Sequence, residues 1–237
     1  MNYFKEPKIS VIMSVKDAES TIENSLSSIL MQSYQNLELL IMNDASTDKT
    51  SDVISKFIAK DKRVKLYSNK KNIGLTASLN ILAKNSSGDF IARQDGDDVS
   101  FFDRLENQMG YLLTKKLDGC TTKAISIQDS KILHNKTRLV PNRLLIKFKN
   151  PFIHGSLLIR KKVLDEINYY NEDFYYAQDY KLFADLLNSK FKIKILNKVL
   201  YKLNTVNNIS TLNKEQQRYY AKCVRNKTIP LQIHKNL

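Results

Sequence analysis

Cysteine is nearly absent from this chain, and the residues that punctuate structure are scarce with it. Its 237 residues include two cysteines, six glycines and four prolines. Cys120 and Cys223 lie far apart and without metal-ligand spacing, so neither a disulfide framework nor a thiolate zinc site is suggested, and both read as buried free thiols. Scarce Gly and Pro, together with 42% hydrophobic residues, exclude a low-complexity or disordered chain. No uninterrupted apolar run approaches the roughly twenty residues that cross a bilayer. The opening MNYFKEPK lacks the apolar core of a secretory signal. These absences point to a soluble or peripheral cytoplasmic protein. Acidic residues are also short in supply: 24 Asp and Glu stand against 38 Lys and Arg, a formal net charge of +14. That surplus attracts polyanions, whether nucleic acid, an anionic membrane face or phosphorylated small molecules. The lysines are dispersed, and in SKFKIKIL the alternation of Lys190, Lys192 and Lys194 with Phe191, Ile193 and Ile195 predicts a half-buried strand with a solvated lysine face.

The length fits one large α/β domain or two small ones, and one is preferred. The first half repeats a strand-then-helix unit. SVIMSV is apolar enough to be buried on both faces. It precedes a helix marked by Ile22, Leu26, Ile29 and Leu30, with Ser20 and Glu23 as a capping box. LELLIM and RVKLYS are further strands, DFIARQ is the fourth, and helices carrying Val53, Ile54, Phe57 and Ile58, then Leu75, Leu79 and Leu82, lie between. Such alternation implies right-handed crossovers and a mainly parallel sheet. After residue 100 the rhythm changes. Asp103 and Glu106 open a helix with Leu105, Met109, Leu112 and Leu113, and residues 115–150 read as less regular and partly loop, with short strand-like pieces and scattered basic residues. GSLLIRKKVLDEI then reads as a strand feeding a helix, and QDYKLFADLLN as a helix. From Thr211 the tail is polar and basic, with Leu212, Tyr219, Cys223 and Val224 as a thin apolar stripe on a surface helix.

In open α/β sheets ligands bind beyond the carboxyl ends of the strands. The second strand ends at NDASTD, with Asp44 and Asp48, and the fourth at QDGDD, with Asp95, Asp97 and Asp98, so both acidic turns fall on one rim. Clustered carboxylates repel unless a cation compensates. Oxygen ligands favour Mg²⁺ or Mn²⁺, which commonly take one or two carboxylates together with substrate phosphate oxygens. Gly96 allows a tight turn and close approach of a phosphate. For Asp98 and Asp103 the preferred alternative is a solvated loop residue, one of them capping the next helix.

Three stretches in this order, ISVIMSVKDAESTIENSLSSILMQSYQNLELLIMNDASTDKT, NIGLTASLN and GDFIARQDGDD, resemble the nucleotide-sugar domain of family-2 glycosyltransferases over about the first 110 residues. The resemblance implies an α/β fold of the GT-A type: a Rossmann-like, mainly parallel sheet flanked by helices, with a less regular acceptor-binding second half. It implies one domain over 1–237, in which 1–110 bind the nucleotide sugar, 111–210 the acceptor, and 211–237 form a basic C-terminal helix or tail. Asp44 would accept a hydrogen bond from a base such as uracil. Val15, Lys16 and Asp17 would line the base pocket, where the usual Pro-x-Tyr-Asn is replaced. Asp95 would hold the ribose or a metal-bound water, Asp97 would ligate a metal bridging the donor diphosphate, and Gly96 would lie against the donor. Asn72, Gly74 and Asn80 match a second donor motif, whose alternative is a turn and a helix start. In the second half, NPFIHGSLLIRKKVLDEINYYNEDFYYAQDYKLFADLL resembles the acceptor half. There Asp179 would be the catalytic base, with a helix N-cap as its other reading. Gln178 stands where a second acid is usual, and His154 and Gly155 border the acceptor. YKLNTVNNIS loosely matches a Tyr-Arg segment, with Lys202 in place of Arg.

The function implied is an inverting, metal-dependent transfer of sugar from a nucleotide-diphosphate sugar, UDP-linked by expectation, to a hydroxyl of a glycan or lipid-linked acceptor in bacterial surface polysaccharide synthesis. The partners implied are the donor, the acceptor and an anionic membrane face, with no nucleic acid. A rival of another class, a nucleic-acid-binding protein, lacks aromatic interleaving and any recognised motif. A second rival, a degenerate member that binds without turnover, is kept open by Lys16, Asp17 and Gln178, and metal-dependent UDP release discriminates it.

Overall fold

The computed structural model describes residues 6–133, 140–206 and 213–231. Strand β1 (Ile9–Val15) is apolar along most of its length and buried throughout except at Ser14, which is half-buried. It feeds α1 (Ile22–Leu30), β2 (Leu37–Asn43), α2 (Thr50–Ile58), β3 (Val64–Ser68), α3 (Leu75–Asn85) and β4 (Phe90–Arg93). These strands pair in parallel in the order β3-β2-β1-β4, with Ile9 opposite both Leu37 and Phe90. Continuous apolar strands are what a parallel sheet covered on both faces requires. The Ser20–Glu23 capping box does not form: Thr21 holds the N-cap position without a side-chain bond. The backbone amides of Thr21 and Ile22 instead donate to the Ala18 carbonyl at 3.1 and 3.0 Å, so a backbone turn starts the helix.

The second half extends the same sheet rather than forming a separate unit. It comprises β5 (Val99–Ser100), α4 (Arg104–Thr114), β6 (Gly119–Ser126), β7 (Ile132–Leu133), α5 (Asn142–Leu145), β8 (Leu158–Arg160), α6 (Lys161–Glu166), α7 (Gln178–Asn188), β9 (Ile193–Leu203) and α8 (Lys214–Asn226). The described strands make one nine-stranded sheet, ordered β3-β2-β1-β4-β8-β6-β9-β5 with β7 on β6. β8 runs antiparallel to both β4 and β6, while β6 and β9 are parallel. The sheet is thus parallel in its first half and mixed in its second.

Reading residues 115–150 as less regular and partly loop overlooks β6, a strand in the interior of the sheet. Its sequence GCTTKAIS carries no apolar run, yet Cys120, Thr121, Thr122 and Ala124 are all buried. The register between β6 and β9 shifts around Lys123, an irregularity that bends a strand and re-aims its end. The predicted lysine face holds only in part: Lys192 and Lys194 are exposed around buried Ile193, where β9 begins, but Lys190, at φ +67°, lies in the turn after α7.

Side chains alternate across the sheet. Val11 and Met13 pack with Ile22, Leu26, Ile29, Ile54, Leu105 and Leu112 on one face. Ile12, Leu40 and Met42 pack with Leu79, Leu82, Val163, Leu182, Phe183 and Leu186 on the other. α8 belongs to this second layer. The tail is therefore no surface helix: Tyr220, Cys223 and Val224 are buried against the α7 core, while Tyr219 is 36% exposed. Leu212 lies outside the described residues.

Candidate functional site

The turn after β4 is built on a buried cation. Arg93 ends the strand with its guanidinium fully enclosed, ion-paired to Asp95 Oδ1 at 2.5 Å and donating to the Gln94 carbonyl. A second buried guanidinium, Arg104 at the start of α4, donates to Gln94 Oε1 at 3.2 Å, the Gly155 carbonyl at 3.2 Å and the Arg93 carbonyl at 3.0 Å. It also lies over the Tyr201 ring. Burial lowers its pKa to about 10, which still leaves it cationic at neutral pH. Neither Arg93 nor Arg104 emerged from the sequence, because nothing local marks a buried arginine. The only hint is that Arg93 lies two residues before Asp95.

The aspartates are arranged around this base. The Asp95 amide donates to Tyr201 Oη at 3.2 Å, and its carbonyl accepts from Ser25 Oγ at 2.7 Å. Gly96 is pressed onto β1: a Cβ there would stand 2.5 Å from Val15 Cγ1, so the approach of this turn to Val15 needs glycine. Asp97 Oδ2 accepts from Asn204 Nδ2 at 3.1 Å, and Asp98 Oδ1 accepts from the Asn204 amide at 2.7 Å. Asp98 is 3% exposed, so the expectation of a solvated loop residue fails for it. Burial, then the charges of Asp95 and Asp97, raise its pKa well above the carboxylate range, and Tyr201 hydrogen-bonds to it. Asp97 is also raised, by burial first and the Asp95 charge second. Asp103, at the N-cap position of α4, makes no capping bond; its Oδ2 accepts from Asn107 Nδ2 at 2.7 Å.

These shifts describe a turn with more negative charge than its arginines neutralise. Among the described residues no group of three metal-ligating side chains forms a cage. Two neighbouring carboxylates nevertheless fit an ion that completes its shell with phosphate oxygens and water. The donor chemistry at Asp95 and Asp97 therefore fits a hard divalent cation together with a diphosphate.

The neighbouring rim is clasped loop to loop. The Asp44 amide donates to the Val15 carbonyl at 2.9 Å, and Asp17, at φ +50°, accepts from the Thr47 amide at 2.7 Å. Lys16 is exposed, 3.9 Å from Asp17 Oδ2. The Asp44 carboxylate, on a residue 4% exposed, accepts from Asn69 Nδ2 and the amides of Ile73 and Gly74 at 2.8–2.9 Å. Asn72 Oδ1 also receives the Gly74 amide, at 2.9 Å. Gly74 has φ +87°, and a Cβ on it would lie 2.7 Å from Tyr175 Cε2. Tyr175, 39% exposed and within electrostatic reach of Asp44, is an aromatic at this rim that sequence reasoning missed. Asn80 points elsewhere, donating to the Tyr170 carbonyl and Glu172 Oε1 and accepting from the Tyr170 amide.

The start of α7 lies within electrostatic reach of the acidic turn. Asp179 is its second residue, and Ala177, in the left-handed region, holds the N-cap position, so Asp179 is not the N-cap. Its Oδ2 accepts from Asn150 Nδ2 at 2.7 Å, and Asn150 Oδ1 receives the Phe152 amide. Burial raises the Asp179 pKa, the bonds from the Tyr180 amide and Asn150 oppose the rise, and the Asp95 charge adds to it. Gln178, half-buried, precedes it. Gly155 packs on the acidic turn, where a Cβ would meet Asp95 Oδ2 at 2.7 Å. His154 Nε2 lies 2.8 Å from Tyr170 Oη, and its pKa falls to about 3 through burial and the Arg93 charge, so the ring is neutral at pH 7. Lys202 Nζ sits 5.2 Å from the Phe101 ring centroid.

The structure therefore gathers the Asp95–Asp98 turn, Val15, Gly155, His154 and Asp179 at one rim, and adds Arg93, Arg104, Tyr201 and Asn204. The model of "Glycosyl transferase family 2" matches residues 10–171. The putative glycosyltransferase EpsE of Bacillus subtilis (strain 168) is 40% identical over 65% of this chain and 56% of its own, so the chain spans little more than half of that relative. The UDP-Glc:alpha-D-GlcNAc-diphosphoundecaprenol beta-1,3-glucosyltransferase WfgD of Escherichia coli is 31% identical over 76% of this chain and 69% of its own. In fold the chain is similar to the mannosyltransferase PcManGT of Pyrobaculum calidifontis, solved with GDP-Man and Mn²⁺, with a TM-score of 0.76, 18% identity, and 96% and 67% of the two chains covered. With a GT-A fold and a family match across most of its length, this chain belongs to glycosyl transferase family 2.

Proposed function

We propose that the protein moves a sugar from a nucleotide diphosphate, with inversion, to a hydroxyl of a glycan or lipid-linked acceptor. The observation that carries this reading is the nearness of two acidic groups on different elements. Asp95, packed against Gly155, lies close enough to Asp179 for its charge to act on that carboxyl. One group then suits a diphosphate and its counter-ion, and the other suits an incoming hydroxyl.

In this reading Asp179 accepts the proton of the acceptor hydroxyl as that oxygen forms a bond to the anomeric carbon. The anomeric carbon–oxygen bond breaks on the opposite side, and the nucleoside diphosphate leaves with the electron pair. Asn150 holds the base in place, and fixing both substrates contributes to the rate by orientation. Asp97, with Asp95, would hold Mn²⁺ or Mg²⁺, which when bound supplies positive charge to the departing diphosphate. Val15, Asp17 and Asp44 line the base side. Tyr175 offers the aromatic face that the sequence lacks at Lys16, while Gly96 and Asn72 keep the loops close. Asn80 supports the site from behind through the 170–172 segment, and His154, Gly155 and Gln178 border the acceptor.

Support for a UDP-linked donor and a lipid-linked acceptor comes from WfgD, whose name specifies both, and support for a metal from the Mn²⁺ bound by PcManGT. Among the described residues no helix is long and apolar enough to cross a membrane. With a net charge of +14, we place the protein at the cytoplasmic face of an anionic membrane, in bacterial surface polysaccharide synthesis. Incubating the protein and Mn²⁺ with UDP-, GDP- and dTDP-sugars tests the donor. Release of UDP from one UDP-sugar is expected, and release from none of the panel would overturn the reading.

A further inference from the structure

The most exposed large apolar side chain among the described residues is Phe148, at 74%. It ends a helical turn that begins with α5 and continues through backbone bonds from Ile146 to Asn142, Phe148 to Leu145 and Lys149 to Leu145. Leu144, 49% exposed, lies one turn before Phe148, and Arg143 and Lys147 form a second exposed pair with the same spacing. At 100° per residue the two pairs lie side by side on the outward half of the turn. Ile146 faces the other way, 6% exposed, and its carbonyl accepts from Tyr180 Oη at 2.7 Å, which pins the turn to α7. The turn is thus fixed from within and presents two apolar side chains beside two cations. Its surroundings in sequence carry no acid: residues 130–164 contain no Asp or Glu, and Lys149 follows the pair directly.

We infer that this turn docks on an anionic phospholipid bilayer, with Leu144 and Phe148 entering the headgroup boundary while Arg143, Lys147 and Lys149 meet lipid phosphates. Charge complementarity selects the occupant. An apolar pair alone suits many partners, but an apolar pair set beside unopposed cations matches an anionic interface. The turn runs directly into Asn150, the hydrogen-bond partner of Asp179. Docking there brings the base to the membrane surface, where the diphosphate head of a lipid-linked acceptor lies. Only this last step rests on the proposed transfer.

The chain contains no tryptophan, so Phe148→Trp in this 237-residue chain installs a single reporter. Mixed with vesicles of phosphatidylglycerol and phosphatidylcholine, its emission is expected to shift to the blue, and with phosphatidylcholine alone to stay unchanged. Phe102→Trp, on a 66% exposed residue beside α4, is expected to stay unchanged with both. Leu144→Ser in the Phe148→Trp protein is expected to weaken vesicle binding roughly tenfold. Arg143→Gln with Lys147→Gln is expected to weaken it by roughly twentyfold. An absent shift at 148, or an equal shift at 102, overturns the inference. Nucleoside diphosphate release in solution is read on the same proteins and is expected to be unchanged. A failed vesicle result therefore removes the docking surface and leaves the transfer standing, and failed release with intact docking does the reverse.

Discussion

Asp179 is held by one side chain, and that bond sets a testable pH dependence. In the proposed role Asp179 must be ionised to accept a proton, so activity is expected to fall as pH drops through its pKa, which burial raises above the ordinary carboxylate value. Asn150 stabilises the ionised form. Asn150→Ala is therefore expected to move the acid limb of kcat to higher pH while sparing kcat on the alkaline side, whereas loss of structure lowers kcat at every pH. Asp179→Asn is expected to lower kcat by about a thousandfold without changing donor affinity. A buried acid outside the site belongs to stability. Glu38, 3% exposed, accepts from Ser10, from both the amide and hydroxyl of Ser87, and from Lys65, with Lys8 at 3.2 Å. Burial alone would raise its pKa, but these donors together hold it well below the carboxylate range. A depressed folded pKa means that the stabilisation is complete above the unfolded value, about 4.3, and vanishes as pH falls through the folded one. Glu38→Gln is expected to cost about 2 kcal/mol at pH 7. In urea titrations the gap from the parent protein should narrow below about pH 4.

At the scale of elements, legibility followed continuity of apolar residues. β1, β2 and α7 were readable because their burial is written in local pattern, and α7 spans the same QDYKLFADLLN that the spacing predicted. β6 was not, because its buried residues are mainly Gly, Cys and Thr, whose enclosure is decided by neighbours on either side. For α8 the helix and two of its inward residues, Cys223 and Val224, were readable but its burial was not, because it looks polar by composition yet packs three side chains on the α7 core. Tyr220, 2% exposed, meets Phe174 edge to face at 6.2 Å. Tyr220→Ala is expected to cost about 3 kcal/mol, measured by urea unfolding, whereas on a surface helix the loss would be near zero. The site divides along the same line. Its acidic turns follow strand ends that sequence periodicity locates, while Arg93, Arg104, Tyr201 and Asn204 come together only when β9 bends back past the turn. Asp98 was misplaced for that reason, since the amide that donates to its carboxylate is that of Asn204.

For the whole molecule, one continuous sheet runs from the strands that end in the acidic turns to β9, which carries Tyr201. β8 lies between β4 and β6, so the strand that ends at the acidic turn is joined through the sheet to the strand carrying Tyr201. The central claim is that the turn after β4 holds the donor diphosphate through a divalent cation while Asp179 works on the other substrate. Titration calorimetry of UDP with and without Mn²⁺, on the parent protein, Asp97→Ala and Asp179→Asn, tests it most directly. The account predicts Mn²⁺-dependent binding to the parent and to Asp179→Asn, and at least tenfold weaker binding to Asp97→Ala, the loss of one charge-assisted contact. Equal UDP affinity in all three proteins, with or without the metal, would contradict it.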